Sequence, residues 1–353
     1  MIPEERPAAS RAPNELAARV LAGEMRAAAR AMRLVDDRTG GYLDLLKALY
    51  PHTGRSWIVG ITGTPGAGKS TLTDRLIEHE RKRGRKVGVV AVDPTSPFTG
   101  GAILGDRIRM QRHFLDPDVF IRSLATRGHL GGLSRSAGDV IRVLDAYGCD
   151  TIFVETVGVG QDELEVTRLA HTTVVVMAPG MGDDIQAIKA GILEVADVFA
   201  VNKADRDGAD STVRDLEQMV ALTRETAVAA ASASTHSVGH AHRVVREERS
   251  ASDAWEPPVV KTIAVKNENV DALVAACDAH RAYLGTTVDG ARKSEQRARE
   301  ELATIFRDTL LTEAARRIGA EQEAAIPRLL RREDDPYTVS EGLVRALLGG
   351  GSA

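Results

Sequence analysis

Short runs of β-branched and other apolar residues alternate with amphipathic stretches through the middle of this chain, from Ser56 to about Leu284. The apolar runs have the length of strands, and the stretches between them have helical spacing. Strands are predicted at 57–61, 87–92, 119–121, 151–155, 173–177, 197–201 and 259–265. This order predicts an α/β fold in which helices cover both faces of a mostly parallel sheet. Ligands are then expected at the carboxyl ends of the strands.

The two ends of the chain have helical patterns without strands. From residue 14 to about residue 50, apolar residues recur at helical spacing, with a break at Gly40–Gly41 before a second short helix. From Ala291 onward a charged helix is expected to end at Gly319, and two short helical stretches follow. Its apolar stripe comprises Leu302, Ile305, Phe306, Thr309 and Leu310. The pattern shows that the helix is amphipathic but not which surface covers its apolar stripe, so docking onto the same chain and dimerisation remain equally open.

Length and composition set limits on the function. The 353 residues divide by pattern into an N-terminal helical extension (1–55), an α/β domain (56–285) and a C-terminal helical arm (286–353). Lys and Arg number 46 against 50 Asp and Glu, a balance that predicts neither nucleic-acid nor membrane-surface binding. Cys149 and Cys277 are too few and too far apart for a disulfide framework or a Cys-based zinc site. The polar N-terminus and the lack of an apolar run of membrane-spanning length predict a cytoplasmic protein.

A phosphate-binding loop follows the first predicted strand. The segment GTPGAGKST satisfies G-x-x-x-x-G-K-[ST] and lies between an apolar strand and a helix. Its glycines permit positive φ and a close backbone approach, so successive N–H groups can point at phosphate oxygens. The nucleotide-binding candidates are Gly63, Thr64, Pro65, Gly66, Ala67, Gly68, Lys69, Ser70 and Thr71. Lys69 is expected to reach the β- and γ-phosphates as a catalytic cation, and Ser70 to bind Mg²⁺.

A second nucleotide motif, Asn202-Lys203-Ala204-Asp205, follows the sixth predicted strand. The Asp205 carboxylate can accept hydrogen bonds from N1–H and the 2-amino group of guanine, which adenine does not offer in that arrangement. Asn202 is expected either to bond the base or to brace the loop, and the stem of Lys203 to cover the ring face. In this position the motif predicts GTP rather than ATP as the nucleotide.

Acidic residues near the ends of two other strands are candidate groups around Mg²⁺. Glu155 is followed by Gly158, which gives Glu-x-x-Gly where most GTPases have Asp-x-x-Gly. The longer Glu155 side chain favours a catalytic contact with Mg²⁺ through water, with a strand-end ion pair as the alternative. The Gly158 amide is expected to sense the γ-phosphate. Asp93 and Asp106 flank a polar loop suited to a switch around the metal, although a helix-capping role for Asp106 remains open.

Together these motifs closely resemble the MeaB/ArgK-type GTPases, which are accessory proteins of methylmalonyl-CoA mutase and related B12-dependent acyl-CoA mutases. The matching segments are GITGTPGAGKST, AVDPTSPFTGGAILGDRIRM, VETVGVGQDE, APGMGDDIQAIKAGILEVADVFAVNKAD, PPVVKTIA and AHRAYL. The resemblance implies a P-loop fold, Mg²⁺-dependent hydrolysis of GTP to GDP and phosphate, and a homodimer joined through the C-terminal helices. It also implies a partner mutase, whose adenosylcobalamin loading the protein would gate and which it would protect and reactivate.

The resemblance also implies roles for residues outside the two nucleotide motifs. The family's additional switch corresponds to the segment PGMGDDIQAIK, with Gly180, Asp183, Asp184, Gln186 and Lys189 as candidates. Ala264 and Val265, at the end of PPVVKTIA and directly after it, are candidates for nucleotide contact. Gln161 is the candidate for positioning the attacking water, and no residue is assigned as an arginine finger.

One stretch, residues 227–253, departs from the family pattern and contains His236, His240 and His242. These histidines could ligate a metal, but a surface loop with incidental histidines is the favoured interpretation. Two other functions remain open. A nickel or zinc metallochaperone GTPase would need a Cys/His site near the switches, and a kinase would transfer phosphate to an acceptor other than water.

Overall fold

Seven parallel strands form the centre of the fold. The computed structural model describes residues 11–94, 110–126, 132–156, 162–180, 195–233 and 254–349. The strands are β1 (Trp57–Gly63), β2 (Val87–Pro94), β3 (Val119–Thr126), β4 (Thr151–Thr156), β5 (Thr172–Met177), β6 (Val198–Asn202) and β7 (Val259–Thr262). They are ordered β3-β2-β4-β1-β5-β6-β7, with parallel pairing throughout. The predicted α/β fold is confirmed, except that β7 ends at Thr262 and a 3₁₀ turn (Ala264–Lys266) replaces its predicted last residues.

Helices connect the strands and extend the chain at both ends. In chain order they are α1 (Arg11–Leu21), α2 (Met25–Asp36), α3 (Tyr42–Leu49), α4 (Lys69–Lys82), α5 (Gly132–Ala146), α6 (Asp162–Leu169), α7 (Ala209–Ala233), α8 (Val270–Thr286), α9 (Val288–Leu330) and α10 (Pro336–Gly349). The predicted break at Gly40–Gly41 is confirmed, since Gly41 has a φ of 87° and α3 begins directly after it.

Two helix boundaries predicted from the sequence are wrong. The first helical stretch divides at Gly23, whose φ of 78° is the left-handed conformation that ends helices. In the other direction, α9 continues through Gly319 to Leu330. A lone glycine costs only about 1 kcal/mol in a helix, which the other residues of a 43-residue helix can offset.

Apolar layers cover both faces of the sheet, and the N-terminal helices contribute to one of them. Met32 of α2 and Leu45 and Leu49 of α3 are fully buried in the same cluster as α5. Val90 and Val92 of β2 face this cluster, whereas the alternate residues of β2 face α4 and α8 on the other side. The N-terminal helices are therefore part of the core beside the sheet.

The chain separates into two compact units, Met1–Lys293 and Ser294–Ala353. Helices α1 to α3 belong to the first unit with the sheet. The division at residues 55 and 285 expected from the sequence stays a prediction. Of the helices that the structure describes, none has the length and apolar character needed to cross a bilayer.

The parallel arrangement brings the predicted nucleotide motifs to one edge of the sheet. In the register of β1 and β4, Ile61 lies opposite Glu155, so the phosphate loop after β1 begins beside that acid. In the register of β6 and β7, Asn202 lies opposite Thr262. The carboxyl ends of four strands thus meet around the loop, as a parallel sheet requires.

Candidate nucleotide site

The phosphate-binding loop adopts the backbone conformation that its glycines predict. Gly63, Gly66 and Gly68 have φ angles of 128°, 74° and 95°, which residues with a side chain rarely adopt. Two of them also lack space for a side chain. A Cβ at Gly63 would collide with the carbonyl oxygen of Val176, and one at Gly68 would lie 2.5 Å from the Asn202 amide nitrogen. Glycine at these two positions is therefore required by torsion and by contact.

Helix α4 begins at Lys69, directly after Gly68, so its first N–H groups and positive dipole end lie at the loop. The Lys69 ammonium donates to the carbonyl oxygens of Gly63 at 2.7 Å and Thr64 at 3.1 Å. Lys69 is only 6% exposed. A buried cation beside the N-terminus of α4 makes the loop electropositive, which suits a phosphate chain.

Glu155 of β4 meets Ser70 of α4 beside the loop. The Ser70 hydroxyl donates to Glu155 Oε1 at 2.6 Å, and both residues are buried. The two side chains offer hard oxygen atoms of the kind that Mg²⁺ prefers, so they fit the metal predicted from the sequence. Within the described ranges, no group of three or more His, Cys, Asp or Glu side chains is arranged to hold a metal ion.

Asn202 joins the phosphate loop to the segment after β7. Its amide nitrogen donates to the Ala67 carbonyl oxygen at 2.8 Å. Its amide oxygen accepts from the Ala264 N–H at 3.0 Å and from the Thr262 hydroxyl at 3.3 Å. The structure thus places Asn202 as a brace between the two segments, whereas its contact with a base stays a prediction.

Lys203 and Asp205 lie on the more exposed side of the same motif. Lys203 has a φ of 58°, and its ammonium donates to the Gly66 carbonyl oxygen at 2.5 Å, so its stem reaches back to the phosphate loop. The Asp205 side chain is 40% exposed, and its carboxylate lies 3.8 Å from the Lys266 ammonium. Val265, next to Lys266, is 67% exposed. The Asp205 carboxylate and the turn after β7 therefore lie close together and partly exposed, next to the lysine that reaches the phosphate loop.

Other predicted site residues lie wholly or partly outside the described part of the chain. Only the backbone of Asp93 is described, at the end of β2. Asp106, Gly158, Gln161, Asp183, Asp184, Gln186, Lys189, His236, His240 and His242 lie outside the described residues. Gly180 is described, with a φ of 86° that glycine readily adopts. The roles assigned to all of these residues stay predictions.

Helix α4 contributes two side chains that the sequence interpretation missed. The Asp74 carboxylate, one turn after Ser70, accepts from Arg112 Nε at 2.7 Å and lies 2.9 Å from His113 Nε2. Burial would raise the pKa of Asp74, but the bonds from His113 and Arg112 outweigh it and hold that pKa below its ordinary value. Arg75 donates to two backbone carbonyls of the turn after β7. No motif marks these residues, and the sequence signals them only by their place one turn beyond the phosphate loop.

Comparisons with known proteins point to one family. A family model described as "Methylmalonyl Co-A mutase-associated GTPase MeaB" matches residues 28–318. A GTPase of Pyrococcus abyssi is 46% identical over 340 residues, which cover 96% of this chain and 98% of the relative. GTPase ArgK of Escherichia coli is 35% identical over 315 residues, which cover 83% of this chain and 88% of ArgK. The crystal structure of a LAO/AO transport system kinase has the same fold, with a TM-score of 0.63, 24% identity and 98% of each chain covered.

Proposed function

The chain belongs to the MeaB family of GTPases, and we propose that its GTP hydrolysis times the loading of a B12-dependent acyl-CoA mutase with its cofactor. The observation that carries this proposal is the family match over residues 28–318, since the family is described by its association with methylmalonyl-CoA mutase. In this role the protein gates the entry of adenosylcobalamin into methylmalonyl-CoA mutase or a relative. It also protects that mutase from inactivation and helps to reactivate it.

The geometry at the carboxyl edge of the sheet supports a separate role for each of the site residues. Backbone N–H groups of the loop 63–71 bind the phosphates, and Lys69 offsets the negative charge on the β- and γ-phosphate oxygens. Asp205 accepts from the guanine N1–H and 2-amino group. Asn202 holds the phosphate loop and the turn after β7 in a fixed relative position. The exposed Val265 of that turn borders the base.

Ser70 and Glu155 are the described residues that fit Mg²⁺, with Asp93 and Asp106 as further candidates from the sequence. When bound, Mg²⁺ supplies charge neutralisation at the phosphate oxygens. The 2.6 Å bond between Ser70 and Glu155 holds the hydroxyl and the carboxylate beside each other before a cation binds. This bond lowers the conformational cost of gathering the two oxygens around a cation.

A retention experiment tests the role toward the mutase. The tagged protein is loaded with GDP or with a non-hydrolysable GTP analogue, and captured proteins from native lysate are identified by mass spectrometry. We expect a B12-dependent acyl-CoA mutase to be retained to an extent that depends on the nucleotide. The purified mutase should also lose activity more slowly with GTP and wild-type protein than with Lys69→Ala.

Three results would contradict the proposal. The first is a mutase that is neither retained nor protected. The second is tight stoichiometric binding of Ni²⁺ or Zn²⁺, which would favour a metallochaperone GTPase. The third is transfer of the GTP phosphate to an acceptor other than water, which would favour a kinase.

A further inference from the structure

Arg75 connects the helix that follows the phosphate loop to the turn that borders the base site. Its Nε donates to the Ala264 carbonyl oxygen at 3.0 Å, and its Nη2 donates to the Val265 carbonyl oxygen at 3.3 Å. The Arg75 side chain is 23% exposed. Its bond to Ala264 is partly buried, whereas its bond to Val265 is exposed to solvent. A guanidinium is planar and permanently charged, so two bonds from it fix both the position and the orientation of the turn.

Glu78 holds the Arg75 guanidinium in place. Arg75 Nη1 donates to Glu78 Oε2 at 3.1 Å, and the same carboxylate contacts Lys82 at 2.8 Å and Arg112 at 3.2 Å. The bond from Lys82, together with that from Arg75, lowers the pKa of Glu78 to about 2 against the opposing effect of burial. Glu78 is therefore ionised at neutral pH and keeps two cationic partners when Arg75 is replaced.

Asn202 and Arg75 anchor the turn after β7 at different points. Asn202 accepts from the Ala264 N–H, and Arg75 donates to the carbonyl oxygen of the same residue. The turn carries Lys266, whose ammonium lies 3.8 Å from the Asp205 carboxylate. Because Asn202 and Asp205 belong to one motif, the first anchor ties the turn to the base-reading carboxylate. Arg75 ties it to α4, and hence to the phosphate loop from which α4 begins.

We propose that Arg75 is a positioning residue for guanine recognition, which holds the turn after β7 at a fixed distance from both Asp205 and the phosphate loop. This inference rests on the guanine site proposed above. When Arg75 is removed, the turn loses two of its anchors, and the bound nucleotide loses contacts on the base while it keeps those on the phosphates. The loss falls on nucleotide affinity and base selectivity, and not on the cleavage rate of bound GTP.

Two variants and one matched control test the role of Arg75. Arg75→Met removes the donors and keeps the apolar stem, whereas Arg75→Lys keeps the charge on a single flexible donor group. Arg81→Met is the control, because Arg81 lies on the same helix and its guanidinium donates to Asp116 and Asp118, both at 2.8 Å. Stopped-flow fluorescence measures the release of a fluorescent GDP derivative, and competition gives affinities for GDP, IDP and inorganic pyrophosphate. Thermal unfolding verifies that each variant folds.

Arg75→Met should release GDP about tenfold faster than the wild type, since hydrogen bonds from a charged donor are lost. Arg75→Lys should release GDP at a rate between those of Arg75→Met and the wild type. Arg81→Met should release GDP at the wild-type rate. The preference for GDP over IDP should fall in Arg75→Met, because IDP lacks the 2-amino group that Asp205 reads. Pyrophosphate affinity and single-turnover hydrolysis at saturating GTP should stay at wild-type values.

Release of GDP from Arg75→Met at the wild-type rate would overturn the proposal. An equal loss of pyrophosphate affinity would also overturn it, because the effect would then lie in the phosphate loop. If Arg75→Met does not fold, Arg75→Gln, which keeps one donor group, is measured against the same two criteria. If Arg75→Met gives a negative result, Lys69→Ala and Asp205→Asn show which assignment is at fault. If neither variant weakens GDP binding, the nucleotide site itself is wrong. If both weaken it, only the role of Arg75 is wrong.

Discussion

Lys69 donates to two carbonyl oxygens of the loop that precedes it and is almost completely buried. Lys69→Ala removes this cation and retains the helix, because alanine is the best helix former. We expect GTP hydrolysis to fall at least about a hundredfold, since charge-assisted contacts to the phosphates are lost. Phosphate release under saturating GTP is the measurement. Arg81→Met, near the other end of the same helix, is the control, and unchanged hydrolysis in Lys69→Ala would contradict the site assignment.

Asp205 is the residue on which the expected choice of base depends. Asp205→Asn replaces a group that only accepts with an amide that also donates, so the bonds from N1–H and the 2-amino group of guanine are weakened. We expect GTP affinity to fall by about a hundredfold, and XTP to bind better than it does to the wild type, because xanthine carries a carbonyl at C2. Equilibrium titrations with fluorescent GTP and XTP derivatives measure both effects. Asp207→Asn, on the same exposed segment, is the control and should keep the wild-type preference for GTP over XTP. If Asp205→Asn also keeps that preference, Asp205 does not read the base.

At the scale of elements, the Asp197 carboxylate joins four of them, namely β5, β6, α8 and the first turns of α9. Asp197, directly before β6, lies 3.2 Å from His280 Nε2 of α8 and 3.4 Å from Lys293 Nζ of α9. It also accepts from the Thr173 N–H at 2.9 Å. Burial would raise the pKa of Asp197, but the contacts with His280, Lys293 and the Thr173 N–H outweigh it and leave that pKa below its ordinary value.

The lowered pKa of Asp197 gives a prediction for stability against pH. Because the folded pKa lies below the unfolded value of about 3.9, the stabilisation is complete above the unfolded pKa and is lost as the pH falls through the folded pKa. Asp197→Asn should lower the free energy of unfolding by about 2–3 kcal/mol at neutral pH and by less near pH 3. Urea unfolding across this range is the measurement. Asp210→Asn is the control, because it breaks the exposed pair with Lys261 and should change stability little. If the free energy of unfolding of Asp197→Asn differs from that of the wild type by the same amount at every pH, the link to the pKa of Asp197 is refuted.

For the whole molecule, the family resemblance implies a homodimer joined through the C-terminal helices, whereas the apolar stripe by itself leaves docking onto the same chain equally open. Leu302 and Phe306, spaced to share one face of α9, are 69% and 66% exposed. The wild type should therefore have twice the mass of one chain in light scattering, and Leu302→Glu/Phe306→Glu should have the mass of one chain while it still hydrolyses GTP. Glu300→Lys, on the opposite face of the helix, should remain dimeric. A wild-type mass of one chain would show that the apolar stripe does not join two copies.

The sequence by itself determined the elements and the chemistry of the two motifs. Strands, the phosphate loop and the helix after it follow from apolar spacing and from glycines that need positive φ, and these are properties of a few neighbouring residues. Helix ends were less well determined. Gly23 ends a helix and Gly319 does not, because the cost of a glycine in a helix is small enough for the residues on either side of it to decide the outcome.

Only the tertiary structure decided which distant groups meet. The Ser70–Glu155 bond joins residues 85 positions apart, and the bond from Arg75 to Ala264 joins residues 189 apart. The bonds of Asn202 link Ala67 to Ala264 in the same way. Such contacts depend on the order and register of strands in the sheet, and local patterns of hydrophobicity do not encode that order. The sequence therefore indicates that a guanine nucleotide binds, whereas the fold decides which side chains link the phosphate loop and its helix to the turn after β7.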